Sequence, residues 1–234
     1  MTIQKRSHRA SEQYHQIDFG TSYGPVVKSL DDRLGEFGLS IYREAVHDEL
    51  LDSVIDSIRD NCPSYIINIR GEGSETHPAI NIIEKRESRA IFCNLGDLAI
   101  QNVGMDDVNN YIFYNIPSLR MPLSVEPDSV EMFGGRKNSQ DRVIGITIKG
   151  SAHDQILQER CDVINGFNGL AHTRTDEFCY IKPKDIHLSL ARISLDTPEY
   201  VVQRTLAAAR ETLSAFDRLH IKKYNIYYPG AKKR

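Results

Sequence analysis

The stretch DELLDSVIDSIRDNCPSYIINIRGEGSETHPAINIIEKRESRAIFCN (residues 48–94) carries the pattern that decides the fold prediction. Apolar residues recur at helical spacing over 47–59 and predict an amphipathic helix. The apolar run 64–69 follows and predicts a strand. Two further apolar segments, 79–84 and 89–94, flank the polar tetrapeptide KRES and predict a β-hairpin. Helix and strands in this order indicate a domain that mixes α and β structure.

The rest of the chain continues this pattern. Amphipathic segments predict helices over about 154–163 and from about 197, where Pro198 stands at the first helical position. The sequence thus favours an α+β fold with a central mixed sheet flanked by helices. Strands are predicted at 38–42, 111–116, 129–133, 143–149, 178–181 and 186–193.

Composition and charge limit the possible functions. With 234 residues, 40% hydrophobic and 26% charged, the chain can bury a core. A net charge of −3 and a pI of about 6.2 argue against a nucleic-acid partner. No apolar run approaches the roughly 20 residues of a membrane span, and the N-terminus lacks the apolar segment of a Sec signal. Four separated cysteines without a CxxC pair indicate reduced thiols and a cytoplasmic protein rather than a zinc ribbon.

His77 and Asn94 form the first candidate site. His77 opens the predicted hairpin and Asn94 ends it, so the two side chains would lie side by side across the strand pair. A base oriented by a neighbouring polar group is the arrangement of a nucleophilic triad. A loop histidine before Pro78 and a turn-forming asparagine before Gly96 explain the same residues without any chemistry.

Together with GPVVKSLDDRLGEFGLSIY (24–42) and DSVEMFGGRKNSQDRVIGI (128–146), the stretch 48–94 resembles the YopJ family. This family consists of type III secreted bacterial effectors that are acetyltransferases built on a cysteine-protease (ubiquitin-like-protease, clan CE) fold. The resemblance implies a core of that type over residues 25–150. A flexible leader, residues 1–24, would precede it, and a C-terminal appendage of helix and strand, residues 151–234, would pack on it.

Transferred to this sequence, the family's catalytic histidine falls on His77, its acidic partner on Asn94 and its nucleophilic cysteine on Arg142. Asparagine can orient an imidazole but cannot stabilise an imidazolium by charge. Arginine stays protonated and cannot act as a nucleophile. The resemblance therefore implies a pseudoenzyme that acts by binding a host or partner protein.

The same resemblance implies two ligands, acetyl-coenzyme A and inositol hexakisphosphate, and no metal. It also implies a virulence protein secreted into a host cell by a route other than Sec. The histidines of the chain show no HExxH or other paired metal-binding spacing.

KPKDIHLSLARI (182–193) is the second candidate. His187-Leu-Ser189 in a predicted strand resembles half of the signature of LigT-like 2H phosphoesterases, which use two His-x-Ser/Thr pairs as base and acid on a cyclic or 2′-5′ phosphodiester. The chain has no second His-x-Ser/Thr, because His77-Pro-Ala79 lacks the hydroxyl. A strand with a half-buried structural histidine is the alternative explanation.

Overall fold

A sheet of eight strands forms the centre of the protein in the computed structural model, which describes residues 14–17, 38–72, 77–93, 105–134, 141–170 and 186–229. The strands are β1 (Tyr14–Ile17), β2 (Ser40–Ala45), β3 (Ile66–Ile69), β4 (Ala79–Ile83), β5 (Leu123–Gly134), β6 (Asp141–Lys149), β7 (His187–Ser194) and β8 (Leu219–Pro229). The α-helices of the same residues are α1 (Glu49–Asn61), α2 (Lys85–Cys93), α3 (Met105–Asn115), α4 (Ser151–Leu170) and α5 (Glu199–Leu213).

Neighbouring strands follow the order β1–β8–β2–β4–β7–β6–β5, with β3 also paired to β7. β5 pairs with β8 as well, so the path of strands closes on itself. Each of these pairings is antiparallel. The predicted α+β fold with a central sheet flanked by helices is therefore confirmed, but the sheet is antiparallel rather than mixed, and a clan CE core is not confirmed.

The two faces of the sheet differ in composition. Ile80 of β4, Leu188 of β7 and Ile146 of β6 share one face and are fully inaccessible to solvent. Helix α4 packs against β4, β5 and β6, while α5 packs on β5 and on α1. Since successive side chains of a strand alternate, the other face carries Ala79, Ser189, Gly145 and His187. We call it the histidine face.

A buried ion pair ties the sheet to α4. Arg43 of β2 is fully buried and donates from Nε and Nη2 to the two carboxylate oxygens of Glu159, at 2.9 and 2.6 Å. Its remaining donors reach the main-chain oxygens of Met121, Ser118 and Lys222. A buried charge is tolerated when it is paired and hydrogen-bonded in this way.

The helix predicted over 47–59 is confirmed as α1. Asp48 caps it, since the Asp48 carboxylate accepts a hydrogen bond of 3.0 Å from the Leu51 N–H. The apolar face of α1 is buried as the periodicity predicts. The helices predicted from 154 and from 197 are likewise present as α4 and α5.

Two predicted strands are wrong, because the segments 89–94 and 111–116 fall largely within helices α2 and α3. The polar tetrapeptide KRES is the first turn of α2 rather than a hairpin turn. In that turn the Glu87 carboxylate accepts from the Glu84 N–H at 2.8 Å, and Arg160 of α4 donates to both Glu87 oxygens. These contacts with a helix about 70 residues away stabilise the helical turn.

Strands from both sides of residue 150 share the sheet, and β1 lies within residues 1–24. The division into leader, core and appendage stays a prediction. The strand predicted at 178–181 lies outside the described residues. In the part of the chain that the structure describes, no helix is both long enough and apolar enough to cross a membrane.

Candidate functional site

Three strands bring Ala79, Ser189 and Gly145 into one row on the histidine face. Ala79 of β4 is directly opposite Ser189 of β7, and Ser189 is directly opposite Gly145 of β6. Residues that oppose each other directly point to the same side of a sheet. The side chain of Ser189, only 8% exposed as a residue, is thus flanked by a methyl group and by a hydrogen atom.

His77 and His187 occupy equivalent sequence positions about the Ala79–Ser189 pair. Two residues that face each other in an antiparallel pair exchange places under such an axis. His77 precedes Ala79 by two positions, and His187 precedes Ser189 by two positions. The axis through the Ala79–Ser189 pair therefore relates the two sequence positions, and His77 lies two residues before the start of β4. β2 holds the start of β4, since the Ala45 N–H donates to the Pro78 oxygen at 2.8 Å.

The imidazole of His187 lies over β6 and against an aromatic ring. Its centroid is 3.9 Å from that of Phe133 on β5, and the two planes are 8° apart, which is a parallel stack. A Cβ atom placed on Gly145 would be 2.9 Å from His187 Cδ2 and 2.8 Å from the Leu188 oxygen. The absent side chain at Gly145 is what lets the ring occupy this position.

The surroundings of His77 are different. His77 is exposed, and its ring meets His47 nearly edge-on with the centroids 6.3 Å apart. His47 Nδ1 lies 3.3 Å from Asp52 Oδ1 in an exposed pair. Gly71, at φ +91°, is close to the His77 ring, which would be 3.5 Å from a Cβ atom at that position. One histidine is thus stacked and the other is open to solvent.

Carboxylates lie at the two sides of the row. Glu44 of β2 is opposite Ala79, and Glu131 of β5 is opposite Gly145. Glu44 is only 3% exposed and lies 3.7 Å from Lys222 Nζ. Burial, and secondarily the charge of Glu44, raise the pKa of Tyr42. The two carboxylates repel an anionic group more strongly at the sides of the row than at its centre near Ser189.

His187 lies on the face that carries Ser189, and His77 lies just before the start of the neighbouring strand β4. Imidazoles exchange protons near neutral pH, and a serine hydroxyl donates to an anionic oxygen. This is a set for general acid–base chemistry on a substrate held between the histidines. Among the described residues, no group of three or more His, Cys, Asp or Glu side chains is placed to hold a metal ion.

Sequence reasoning singled out His187 and Ser189, and it treated His77 as part of a different site. It dismissed His77-Pro-Ala79 as half of this site because the hydroxyl is missing. The equal spacing of His77 to Ala79 and of His187 to Ser189 was the available signal. Only the register of β4 on β7 shows that these two spacings belong to one arrangement.

Arg142 does not join the histidines. Arg142 is separated from the buried Ile144 and Ile146 by two and four positions on β6. Because side chains alternate along a strand, Arg142 points to the face opposite to the one that carries Gly145. Its Nη2 donates to the Leu195 oxygen at 2.6 Å, and Nη1 lies 3.5 Å from the Met132 sulfur. Asn94 lies outside the described residues. The triad of His77, Asn94 and Arg142 has no support beyond the family resemblance that proposed it.

A polar cavity of about 760 Å³ lies between β5, β6 and the end of α5. Its lining includes Lys149, Arg210 and Arg218 together with Asp128, and it contains neither an imidazole nor a thiol. Arg210 Nε is bonded to the Val130 oxygen at 2.8 Å. We assign no chemistry to this cavity.

Two solved structures of Usb1 from Kluyveromyces marxianus are similar to this chain. The first has 9% sequence identity and a TM-score of 0.44, and the match covers 82% of this chain and 94% of the Usb1 chain. The second, of Usb1 with uridine monophosphate, has 8% sequence identity and a TM-score of 0.41. That match covers 76% of this chain and 81% of the Usb1 chain. No family model and no curated protein sequence matches the chain. Likenesses this remote do not by themselves assign an activity to this chain.

The predicted membership of the YopJ family is wrong, and with it the effector and virulence role. The similar structures are those of Usb1, and no family model supports a YopJ-type acetyltransferase. The fold gives an independent reason. The second strand of the hairpin that carried the resemblance is helix α2.

Proposed function

We propose that this protein is a phosphodiesterase of the 2H type that acts on a cyclic or 2′-5′ phosphodiester. The observation that carries the proposal is the local two-fold relation of His77 and His187 about the Ala79–Ser189 pair. The 2H signature has two histidines on adjacent strands, each followed two positions later by a hydroxyl residue. This chain has both histidines and one of the two hydroxyls.

The reaction follows from the chemistry of these groups. One imidazole removes a proton from the attacking hydroxyl or water, and the other donates a proton to the departing oxygen. The Ser189 hydroxyl donates to a non-bridging phosphate oxygen, where negative charge increases in the transition state. Ala79 cannot supply the matching donor on the β4 side. We therefore expect a slower enzyme than one with two hydroxyls.

Several sequence-based expectations are affected by this proposal. Acetyl-coenzyme A and inositol hexakisphosphate remain untested predictions, and the reaction proposed here needs neither. Secretion by a non-Sec route or a cytoplasmic location likewise remains untested. The expectation of no nucleic-acid partner rested on a net charge of −3. A short nucleotide phosphodiester does not require an extended basic surface, so we propose it as a substrate.

The test is hydrolysis of 2′,3′-cyclic nucleotides and 2′-5′-linked dinucleotides by the purified protein. His187→Ala and His77→Ala are each expected to lower kcat/KM by about 10²- to 10⁴-fold. His153→Ala is the matched control, because His153 lies on the outer helix α4 beside Asp154 and away from the row. Undiminished activity in His187→Ala, with the fold intact, would overturn the proposal.

A further inference from the structure

The stack of Phe133 on His187 distinguishes the two histidines chemically. The stack is close and parallel, with 3.9 Å between centroids, whereas the ring of His77 is exposed and meets His47 only edge-on. The two histidines hold equivalent sequence positions about the Ala79–Ser189 pair but have different surroundings. Acid and base are therefore not interchangeable at this site.

An aromatic face favours a cation over a neutral group. The ring quadrupole places negative potential above the face of Phe133, where the His187 imidazole lies. An imidazolium gains from this potential, while a neutral imidazole gains only the stacking contact. The stack thus favours the protonated form of His187, which is the form that can donate a proton.

Further polar groups of the described residues lie on the histidine face. Thr147 on β6 and Asn81 on β4 are uncharged, and Thr147 is bonded to the Ser129 main chain. Glu131 on β5 and Arg192 on β7 carry opposite charges, and Arg192 is paired with Asp141 at 3.1 Å. These groups are common to every variant used below, so a comparison at Phe133 isolates the effect of the ring.

Taking the proposed function as given, we propose that His187 is the general acid, His77 is the general base, and Phe133 is the positioning residue that holds the His187 imidazolium. His77 takes a proton from the attacking water or hydroxyl as the oxygen of that group bonds to phosphorus. The bond from phosphorus to the leaving oxygen breaks, and that oxygen takes the proton of a His187 ring N–H. The products are an alcohol and the new phosphate ester, and exchange with water resets both imidazoles.

The first test is the pH dependence of kcat/KM, whose alkaline limb reports the acid and whose acidic limb reports the base. Phe133→Leu is expected to move the alkaline limb to lower pH by about 0.5, the size of a modest cation–π contact, and to leave the acidic limb in place. Phe133→Tyr keeps an aromatic face and should retain the parent profile. Phe113→Leu, an exposed aromatic on α3, is the control. Movement of the acidic limb instead would reverse the assigned roles and overturn the inference.

The second test uses the leaving group. A nitrophenolate departs without a proton, whereas a ribose hydroxyl needs one. We expect His187→Ala to lose less than about tenfold on a nitrophenyl phosphodiester but over about a hundredfold on a nucleotide substrate. His77→Ala should lose equally on both. Equal losses for His187→Ala on the two substrates would contradict the assignment.

A measurement without substrate separates this inference from the proposed function. The ring signals of His187, assigned by their absence in His187→Gln, are titrated by NMR in the parent protein and in Phe133→Leu. In Phe133→Leu the midpoint of the His187 titration is expected to lie about 0.5 pH unit lower than in the parent protein. An unchanged midpoint in an active enzyme would refute the role of Phe133 and leave the phosphodiesterase standing. A shifted midpoint in a protein inactive on every phosphodiester would refute the function.

Discussion

Ala79 and Ser189 face each other directly across β4 and β7, and each follows a histidine by two positions. The two residues differ in one group, because Ser189 of β7 carries a hydroxyl and Ala79 of β4 carries only a methyl. The chain thus retains the geometry of a two-fold site with a donor missing on one side. The missing donor can be restored by substitution.

Ala79→Ser is expected to raise kcat/KM on a phosphodiester about tenfold, since it supplies a second donor to the charge that develops on phosphate. Ser189→Ala is expected to lower kcat/KM by about ten- to a hundredfold because it removes the donor that is present. Steady-state kinetics on the same cyclic nucleotide measures both. A drop in activity for a well-folded Ala79→Ser would show that the β4 side does not contact the phosphate.

Gly145→Ala is expected to reduce both stability and activity. The added methyl would be 2.8 Å from the Leu188 oxygen and 2.9 Å from the His187 ring, so the strand pair and the imidazole must shift. Overpacking of this kind costs about 1–3 kcal/mol in the free energy of unfolding, measured by denaturant titration.

Gly169→Ala is the matched control for that substitution. A Cβ atom at Gly169 meets no atom within 4 Å, and the residue lies in helix α4. Alanine should therefore leave activity unchanged and add about 0.5 kcal/mol to the free energy of unfolding. Equal destabilisation by the two substitutions would mean that the close approach at Gly145 is not the cause.

Glu159→Leu is expected to lower the free energy of unfolding by about 3–5 kcal/mol, because it leaves the fully buried Arg43 guanidinium without its carboxylate. Arg43→Met combined with Glu159→Leu should recover much of that loss. Glu72→Gln, which removes an exposed ion pair with Arg59, is the control and should change stability little. A double variant as unstable as Glu159→Leu alone would exclude an uncompensated charge as the cause.

Stability is expected to fall at alkaline pH through Tyr224. Burial raises the pKa of Tyr224 from 10.0 to about 12. Because the folded value lies above the unfolded one, the stabilisation is complete below about pH 10 and is lost as the pH rises to about 12, at about 1.4 kcal/mol per pH unit. Tyr224→Phe should flatten this part of the curve, measured by denaturant titration from pH 9 to about pH 12. Tyr200→Phe, a substitution at an exposed position, should leave the pH dependence of stability unchanged.

Local sequence patterns predicted the helices and strands in which the apolar residues follow one clear spacing. The apolar stripe of α1 and the β-runs of β3, β6 and β7 are long or regular enough to identify by themselves. The segment 111–116 failed because a short apolar run fits a strand as well as a helix. Val108, Ile112 and Ile116 show the helical spacing, and all three are buried.

The sequence by itself determined the fold class, the position of His187 and Ser189 on a strand, and the absence of a long apolar segment. The tertiary structure decided which residues face Ser189. β4 and β7 are more than a hundred residues apart, and a shift of one residue in their register would no longer place Ala79 opposite Ser189. No local pattern encodes that register, because it depends on how residues distant in the chain, such as Ile80, Ile146 and Leu188, are buried together.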